Sequence, residues 1–223
     1  MTRISITSDT HGKHWQMPEM PEADIFIHAG DFMNSGRYED EITSFNSWLE
    51  SIPLPKERKL ICGGNHDIRF DETHRESSPR CAAQARALLT NGTYLQDEAT
   101  VLDGVKFWFS PHTPEFLGWG FNAKRGEEIS AKWKMIPDDT QFLITHGPPM
   151  GILDKSQQWG DNLGCADLLS RIRELSDLRY HIFGHIHGGR GRLTVDKTEF
   201  INASFLDETY KPWAGKGAIL LEV

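Results

Sequence analysis

Five short apolar segments, each followed at once by Asp, Asn or His, constrain the fold of this chain more than any other feature. The segments lie at 3–8, 24–30, 59–64, 141–145 and 180–184. The spacing of Ile42, Phe45 and Leu49 predicts a helix between two of them. Strands that alternate with helices are typical of βαβ units, and such sheets bind ligands at the carboxyl ends of their strands. The pattern therefore predicts an α/β fold with a site at those ends.

The remaining segments complete this prediction. Further helices are expected over 76–90, 127–135 and 165–175. Asp103-Gly104 between apolar runs predicts an antiparallel hairpin. The last strands, expected near 191–195, 199–203 and 217–223, are interpreted as antiparallel strands that complete a second sheet. The segment 110–126 has no periodicity and is rich in Pro, Gly and aromatic residues, which favours a substrate-binding loop.

Composition limits the class of protein. Residues 1–223 contain no linker-like stretch, so one domain is expected. The net charge of -8 and the pI near 5.7 disfavour a surface for long nucleic acids. A small phosphate-containing substrate stays compatible with this charge, because a local metal centre can supply positive charge.

The cysteines and the apolar segments indicate a compartment. Cys62, Cys81 and Cys165 have no CxxC spacing, which disfavours a disulfide framework and a Cys-rich zinc site and fits a reducing cytoplasm. The first residues alternate like a strand, so neither a signal peptide nor a membrane span is expected. The sequence leaves the oligomeric state open, with a homodimer as one alternative.

The polar residues at the strand ends are candidate metal ligands. They are Asp9, His11, Asp31, Asn65, His146, His185 and His187. Oxygen and nitrogen donors without a thiolate suit Mn, Fe, Zn or Co. Seven donors are too many for one ion and would serve two ions about 3.5 to 4 Å apart. An ordinary polar turn is the alternative for 65–67 taken alone, but the recurrence of donors at five strand ends favours metal binding.

These motifs resemble those of the calcineurin-like metallophosphoesterases in order and in strand-end context. The matching motifs are Asp9-x-His11, Gly30-Asp31, Gly64-Asn65-His66-Asp67, His146 and Gly184-His185-x-His187. Further stretches resemble the MPPED-type phosphodiesterase branch over nearly the whole chain. They are Ser110-Pro111, Trp119-x-Phe121-Asn122, Thr145-His146-Gly147-Pro148-Pro149, Gly164-Cys165 and Phe183-Gly184-His185-Ile186-His187.

The resemblance implies a fold and an assignment of the ligands. The fold would be a four-layer αββα sandwich of two mixed sheets flanked by helices, in agreement with the strand and helix pattern. One metal would be bound by Asp9, His11 and His187, and the other by Asn65, His146 and His185. Asp31 would bridge the two metals.

The resemblance also implies a reaction. A metal-bridging hydroxide would attack phosphorus in line, in small phosphodiesters such as cyclic nucleotides. His66 would stabilise or protonate the leaving oxygen, and Asp67 would fix the tautomer of His66. A phosphomonoesterase or a nuclease on the same centre is an alternative, and an inactive binding scaffold is another.

Other residues keep two interpretations each. Candidate substrate contacts in the long loop are His112, Trp119, Asn122 and Arg125, with aromatic loop packing as the alternative. Arg190 could contact the substrate phosphate or be a solvated arginine. His28 and His181 lie within strands, where support of the metal ligands and simple burial are both open.

Overall fold

The computed structural model describes all 223 residues. Thirteen strands and four α-helices follow one another along the chain. They are β1 (Arg3–Thr7), β2 (Ile25–Ala29), α1 (Glu39–Glu50), β3 (Lys59–Cys62), α2 (Pro79–Leu88), β4 (Thr93–Leu95), β5 (Glu98–Leu102), β6 (Val105–Ser110), β7 (Thr113–Pro114), β8 (Asn122–Ala123), α3 (Glu127–Trp133), β9 (Phe142–Thr145), α4 (Ala166–Glu174), β10 (Tyr180–Phe183), β11 (Gly191–Val195), β12 (Thr198–Asn202) and β13 (Ile219–Glu222).

Two mixed sheets contain most of the strands. The first has the order β13-β1-β2-β3-β4 and the second the order β11-β12-β10-β9-β6-β5, while β7 and β8 form a small separate ladder. Within the first sheet β1 to β4 are parallel and β13 is antiparallel to β1. Within the second sheet β6, β9, β10 and β12 are parallel, and β5 and β11 are antiparallel edge strands. The predicted hairpin at residues 103–104 is confirmed as the β5–β6 connection.

Alternation along the strands explains how the layers stack. Ile25 and Ile27 of β2 belong to the same apolar cluster as Ile144 of β9, so the two sheets pack face to face. Phe26, between the two isoleucines, points to the other face and packs with Phe45 of α1. On the far side of the second sheet, a third cluster joins its strands to α3 and α4. The predicted four-layer α/β sandwich is therefore confirmed.

Two expectations about the elements were wrong in part. Helix α2 begins at Pro79 rather than at 76, because the side chain of Ser78 accepts a hydrogen bond from the backbone N–H of Cys81 and caps the helix. The last strand, β13, pairs with β1 of the first sheet instead of completing the second one. No helix has the length and apolar composition needed to cross a bilayer.

Candidate metal centre

One group of donors combines residues that follow β1 with a histidine that follows β10. Ligand atoms of Asp9, His11 and His187 lie within 4.8 Å of one another. His187 Nε2 is 3.4 Å from Asp9 Oδ1 and 3.3 Å from His11 Nε2. Nδ1 of His187 donates to the carbonyl of Asp207 at 2.9 Å, which leaves Nε2 to face the group. A backbone acceptor on the far ring nitrogen is how proteins orient metal-ligating histidines.

A second group joins the two sheets at β2, β9 and β10. It contains Asp31, His146 and His185. His146 Nε2 lies 3.2 Å from Asp31 Oδ2 and 2.9 Å from the side-chain oxygen of Asn65. Nδ1 of His146 donates to the carbonyl of Ala29 at 3.0 Å, so this ring is also held by the backbone.

Asp31 contacts both groups of donors. Besides its contact with His146, Asp31 Oδ2 lies 3.6 Å from His11 Nε2 of the first group. A third cluster of donors, formed by His11, Asp31 and His66, overlaps the other two. The structure thus gathers all seven predicted ligand residues in one place, with the Asp31 carboxylate between two sets of donors.

The donors fit divalent cations because acceptors face acceptors. Since Nδ1 of neutral His146 carries the proton, its Nε2 is an acceptor aimed at the oxygens of Asp31 and Asn65. Only a proton on that nitrogen or a cation among these atoms relieves the arrangement. Although burial opposes it, the charge of Asp31 raises the pKa of His146 to about 9, a sign that the site favours positive charge. Burial lowers the pKa of His185 to about 3, which keeps this imidazole neutral and able to ligate.

The backbone at the ligands is strained. Asp9, His11, Asp31 and His185 have positive φ angles of 52°, 40°, 57° and 65°. Such conformations cost about 1 kcal/mol or more per non-glycine residue and persist where surrounding contacts determine them. Here the carboxylate of Asp9 accepts hydrogen bonds from the backbone N–H of His185 at 3.0 Å and from the hydroxyl of Ser204 at 2.9 Å.

Two glycines of the motifs allow this close approach. A Cβ atom at Gly64 would collide with the carboxylate of Asp31, and one at Gly184 would collide with that of Asp9. These positions therefore need glycine for space rather than for a left-handed conformation.

His66 stands beside the donors and faces the solvent cleft. Its backbone N–H donates to Asp31 Oδ1 at 2.7 Å, and its Nδ1 donates to the carbonyl of Asn34 at 2.6 Å. The imidazole stacks on the indole of Trp119, with ring centroids 3.9 Å apart. Nε2 is the ring nitrogen left for a ligand in the cleft.

The predicted link between Asp67 and His66 is wrong. The buried carboxylate of Asp67 accepts hydrogen bonds from the backbone N–H groups of Asp31, Met33 and Gly64 at 2.9, 2.9 and 2.7 Å. It fastens the turns after β2 and β3 to each other. The carbonyl of Asn34, not Asp67, accepts the proton of His66 Nδ1.

A cleft of about 430 Å³ opens in front of these residues. The loops 114–119 and 158–163 form its walls. Phe116 and Trp159, which are 45% and 60% exposed, meet edge to face with centroids 5.7 Å apart. Tyr210 closes another side, with its ring 4.9 Å from that of His11 and 5.2 Å from that of His187. The cleft therefore offers aromatic surfaces next to a cluster of metal-type donors.

The same geometry is accompanied by a clear family match. A family model described as "Calcineurin-like phosphoesterase" matches residues 2–189. The chain belongs to this family. The human and mouse proteins named metallophosphoesterase domain-containing protein 1 are each 38% identical over 226 residues, which covers 95% of this chain and 68% of theirs. These relatives confirm the predicted branch and support a hydrolase.

A solved structure gives the same result for the fold. The crystal structure of phosphopantetheinyl hydrolase (PptH) from Mycobacterium tuberculosis has a TM-score of 0.59 at 14% identity, over 97% of this chain and 95% of that chain. At this identity the likeness concerns the fold alone.

In this phosphoesterase only two of the five predicted substrate contacts line the cleft, Trp119 and Arg125. Arg125 donates its guanidinium hydrogens to the carbonyls of Gly164 and Leu163 at 2.9 and 3.3 Å. Both acceptors lie at the end of the 158–163 wall, so Arg125 is held against that side of the cleft.

The other three side chains hold loops. His112 bonds Asp97 at 2.9 Å and the carbonyl of Phe121 at 3.3 Å, and the amide of Asn122 donates to the carbonyl of Phe116 at 3.0 Å. The guanidinium of Arg190 donates to the carbonyl of Gly217 at 2.7 Å. Because none of the three lines the cleft, the predicted contacts of His112, Asn122 and Arg190 with substrate are corrected to structural roles.

The two strand histidines lie beneath the ligand turns. Nδ1 of His28 accepts from the backbone N–H of Gly30 at 3.3 Å, and its Nε2 lies 3.1 Å from the hydroxyl of Thr10. Thr10 stands between two of the candidate ligands in the sequence. Nε2 of His181 lies 2.8 Å from the hydroxyl of Thr145, which precedes His146. Both are buried histidines that support the metal centre from below.

Sequence reasoning missed Tyr210. It lies in a turn near the end of the chain, outside every strand-end motif, and no local signal marks it. It reaches the centre because its turn is tied to His187 through the carbonyl of Asp207.

Proposed function

We propose that this chain is a binuclear metal-dependent phosphodiesterase that hydrolyses small phosphodiesters, with cyclic nucleotides as the substrate class. The observation that carries the proposal is the place of Asp31, whose Oδ2 lies 3.2 Å from His146 Nε2 and 3.6 Å from His11 Nε2. One carboxylate shared by two sets of donors is what a pair of neighbouring ions needs.

The ligands divide between two ions. One ion would be held by Asp9, His11 and His187. The other ion would be held by Asn65, His146 and His185. Asp31 would bind both ions. Manganese, iron, zinc and cobalt all suit these nitrogen and oxygen donors. When bound, such ions neutralise phosphate oxygens and lower the pKa of a water molecule that can attack phosphorus.

His66 supplies the proton in this proposal. Its Nδ1 proton is committed to the carbonyl of Asn34, so the doubly protonated ring can give up the proton of Nε2. That proton passes to the leaving oxygen, and the ring returns to the tautomer that the carbonyl favours.

The cleft supports a singly charged diester over a monoester. Arg125, the one Lys or Arg side chain that lines it, donates to two backbone carbonyls, and Glu115 adds a negative charge to the lining. The second negative charge of a monoester therefore finds no free Lys or Arg in the cleft, and the protonated His66 is committed to the leaving oxygen. The aromatic walls offer a flat apolar group, such as a nucleobase, a surface to stack on.

The test combines metal analysis with a comparison of substrates. Purified protein reconstituted with Mn²⁺ is assayed on bis-nitrophenyl phosphate, nitrophenyl phosphate and cyclic nucleotides. We expect faster turnover of a diester than of the monoester, and little turnover after chelation. The proposal fails if the monoester is hydrolysed faster than every diester.

Three further points of the proposal come from the sequence. Residues 1–223 are treated as one catalytic domain, a cytoplasmic location is expected, and a homodimer stays an alternative to a monomer.

A further inference from the structure

We propose that Trp119 is a positioning residue that fixes the ring of His66, rather than a platform for the substrate. The inference rests on the proton-donating role of His66 in the proposed function. The indole and the imidazole stack with centroids 3.9 Å apart and planes inclined by 22°. One face of the indole is therefore already covered by His66.

The imidazole of His66 is restrained from three directions. The carbonyl of Asn34 accepts its Nδ1 proton at 2.6 Å, and the ring of His11 meets it edge-on, with centroids 4.5 Å apart. A single hydrogen bond at Nδ1 still allows the ring plane to tilt about that bond. The stacked indole removes this freedom, so that Nε2 keeps one direction relative to the metal ligands.

The segment that carries Trp119 is docked on the turn that carries His66. The backbone N–H of Gly120 donates to the carbonyl of Asn65 at 3.0 Å, and that of Phe121 donates to Asp71 Oδ2 at 2.7 Å. His74 Nε2 donates to the carbonyl of Gly118 at 3.0 Å. The hydrogen bonds lie on both sides of Trp119, so its indole is placed relative to residues 65–66.

The residue after the tryptophan is a glycine, which suits this close docking. A Cβ atom at Gly120 would lie 3.1 Å from the carbonyl oxygen of Asn65, tighter than most Cβ contacts. Phe116 and Trp159, by contrast, are half exposed at the mouth of the cleft and touch each other. The two kinds of aromatic residue thus have different tasks: Trp119 orients His66, and the pair at the mouth is left for the substrate.

The kinetic test uses diesters whose leaving groups differ in acidity. Help from an acid matters most for a poor leaving group such as phenol and least for nitrophenol. For Trp119→Leu we expect kcat to fall at least about tenfold more on the phenyl diester than on the nitrophenyl diester, with KM nearly unchanged. Trp119→Phe, which keeps an aromatic face, should recover most of the lost rate.

A double variant separates orientation from direct substrate binding. Since Trp119 acts through His66, adding Trp119→Leu to His66→Ala should cause no further loss. A loss that adds in full to that of His66→Ala would overturn the inference, and so would a rise in KM with kcat unchanged. The matched variant Trp159→Leu, at the mouth of the cleft, should raise KM on aromatic diesters and leave the leaving-group dependence as it is.

A second readout does not depend on activity. In metal-free protein the ring protons of His66, identified by their absence in His66→Ala, should be shifted upfield in the NMR spectrum by the indole. Trp119→Leu should remove this shift, and an unchanged spectrum would refute the stacking. Full activity of His66→Ala would refute the acid role in the proposed function. Impairment of His66→Ala with a normal Trp119→Leu would refute the positioning role alone.

Discussion

The backbone N–H of His66 donates a 2.7 Å hydrogen bond to Oδ1 of Asp31, while Oδ2 of the same carboxylate faces His146. Asp31 therefore contacts His11 in one donor group and His146 in the other, and it also holds the turn that presents His66. A change at this residue should affect metal content and catalysis together, whereas a change at His66 should affect catalysis alone.

Replacement of the shared carboxylate tests this relationship. Asp31→Ala should reduce manganese from about two ions per chain to less than one, with loss of nearly all activity, because each ion loses a charged ligand. Metal content by mass spectrometry and turnover of a diester are the measurements. Asp196→Asn, an exposed aspartate in the β11–β12 turn, is a control that should keep both values. Retention of both ions in Asp31→Ala would show that Asp31 does not bridge.

Asp67 should prove to be a stability residue. Asp67→Ala leaves three buried backbone N–H groups without their acceptor. Each such loss costs about 1 kcal/mol or more, so the free energy of unfolding should fall by about 3 kcal/mol or more. Urea denaturation of the metal-free protein measures this change. Unfolding at the wild-type urea concentration, together with a slow turnover, would instead favour the rejected role of Asp67 in setting the tautomer of His66.

His181 should contribute to acid unfolding. Burial lowers its pKa from 6.5 to about 3, so below about pH 6.5 the unfolded chain binds a proton at His181 that the folded chain does not bind. The contribution of His181 to stability is thus fully present above that pH and is lost as the pH falls towards 3. His181→Gln can still donate to the hydroxyl of Thr145 but does not titrate.

The variant should therefore lose stability less steeply than the wild type. Between about pH 6 and about pH 4 the free energy of unfolding should change with pH at different rates in the two proteins. The two slopes should differ by up to about 1.4 kcal/mol per pH unit, the value for one proton. Urea denaturation of both metal-free proteins across this range gives the two slopes. Above about pH 7 the two curves should run parallel, and parallel curves at acid pH as well would contradict the prediction.

The clustering of the candidate metal ligands could be predicted from the sequence because each lies just after a recognisable buried strand. Asp31 follows β2 and His146 follows β9, which belong to different sheets, and the two strand ends meet across the packed sheets, where His146 donates to the carbonyl of Ala29. Local pattern was sufficient to locate the donors at strand ends, whereas their orientation also depends on hydrogen bonds such as that of His187 to the carbonyl of Asp207.

The other features of the site depend on side-chain orientations and long-range contacts, which the local sequence pattern does not specify. Asp67 neighbours His66 in sequence, yet its carboxylate turns towards backbone N–H groups of another turn. Tyr210 reaches its place through a turn that is tied to His187, and β13 pairs with β1, about 200 positions away. Charge and residue type marked Arg190 and His112 as substrate contacts, whereas nearby carbonyls and a carboxylate had already engaged them.

The most direct measurement of the central claim is the magnetic state of the manganese-loaded protein. Two Mn²⁺ ions that share Asp31 at a separation of about 3.5 to 4 Å should be exchange-coupled. Electron paramagnetic resonance is then expected to show the coupled spectrum once about two ions are bound per chain. Saturation at one ion, or two ions that give only the spectrum of isolated Mn²⁺, would contradict the account.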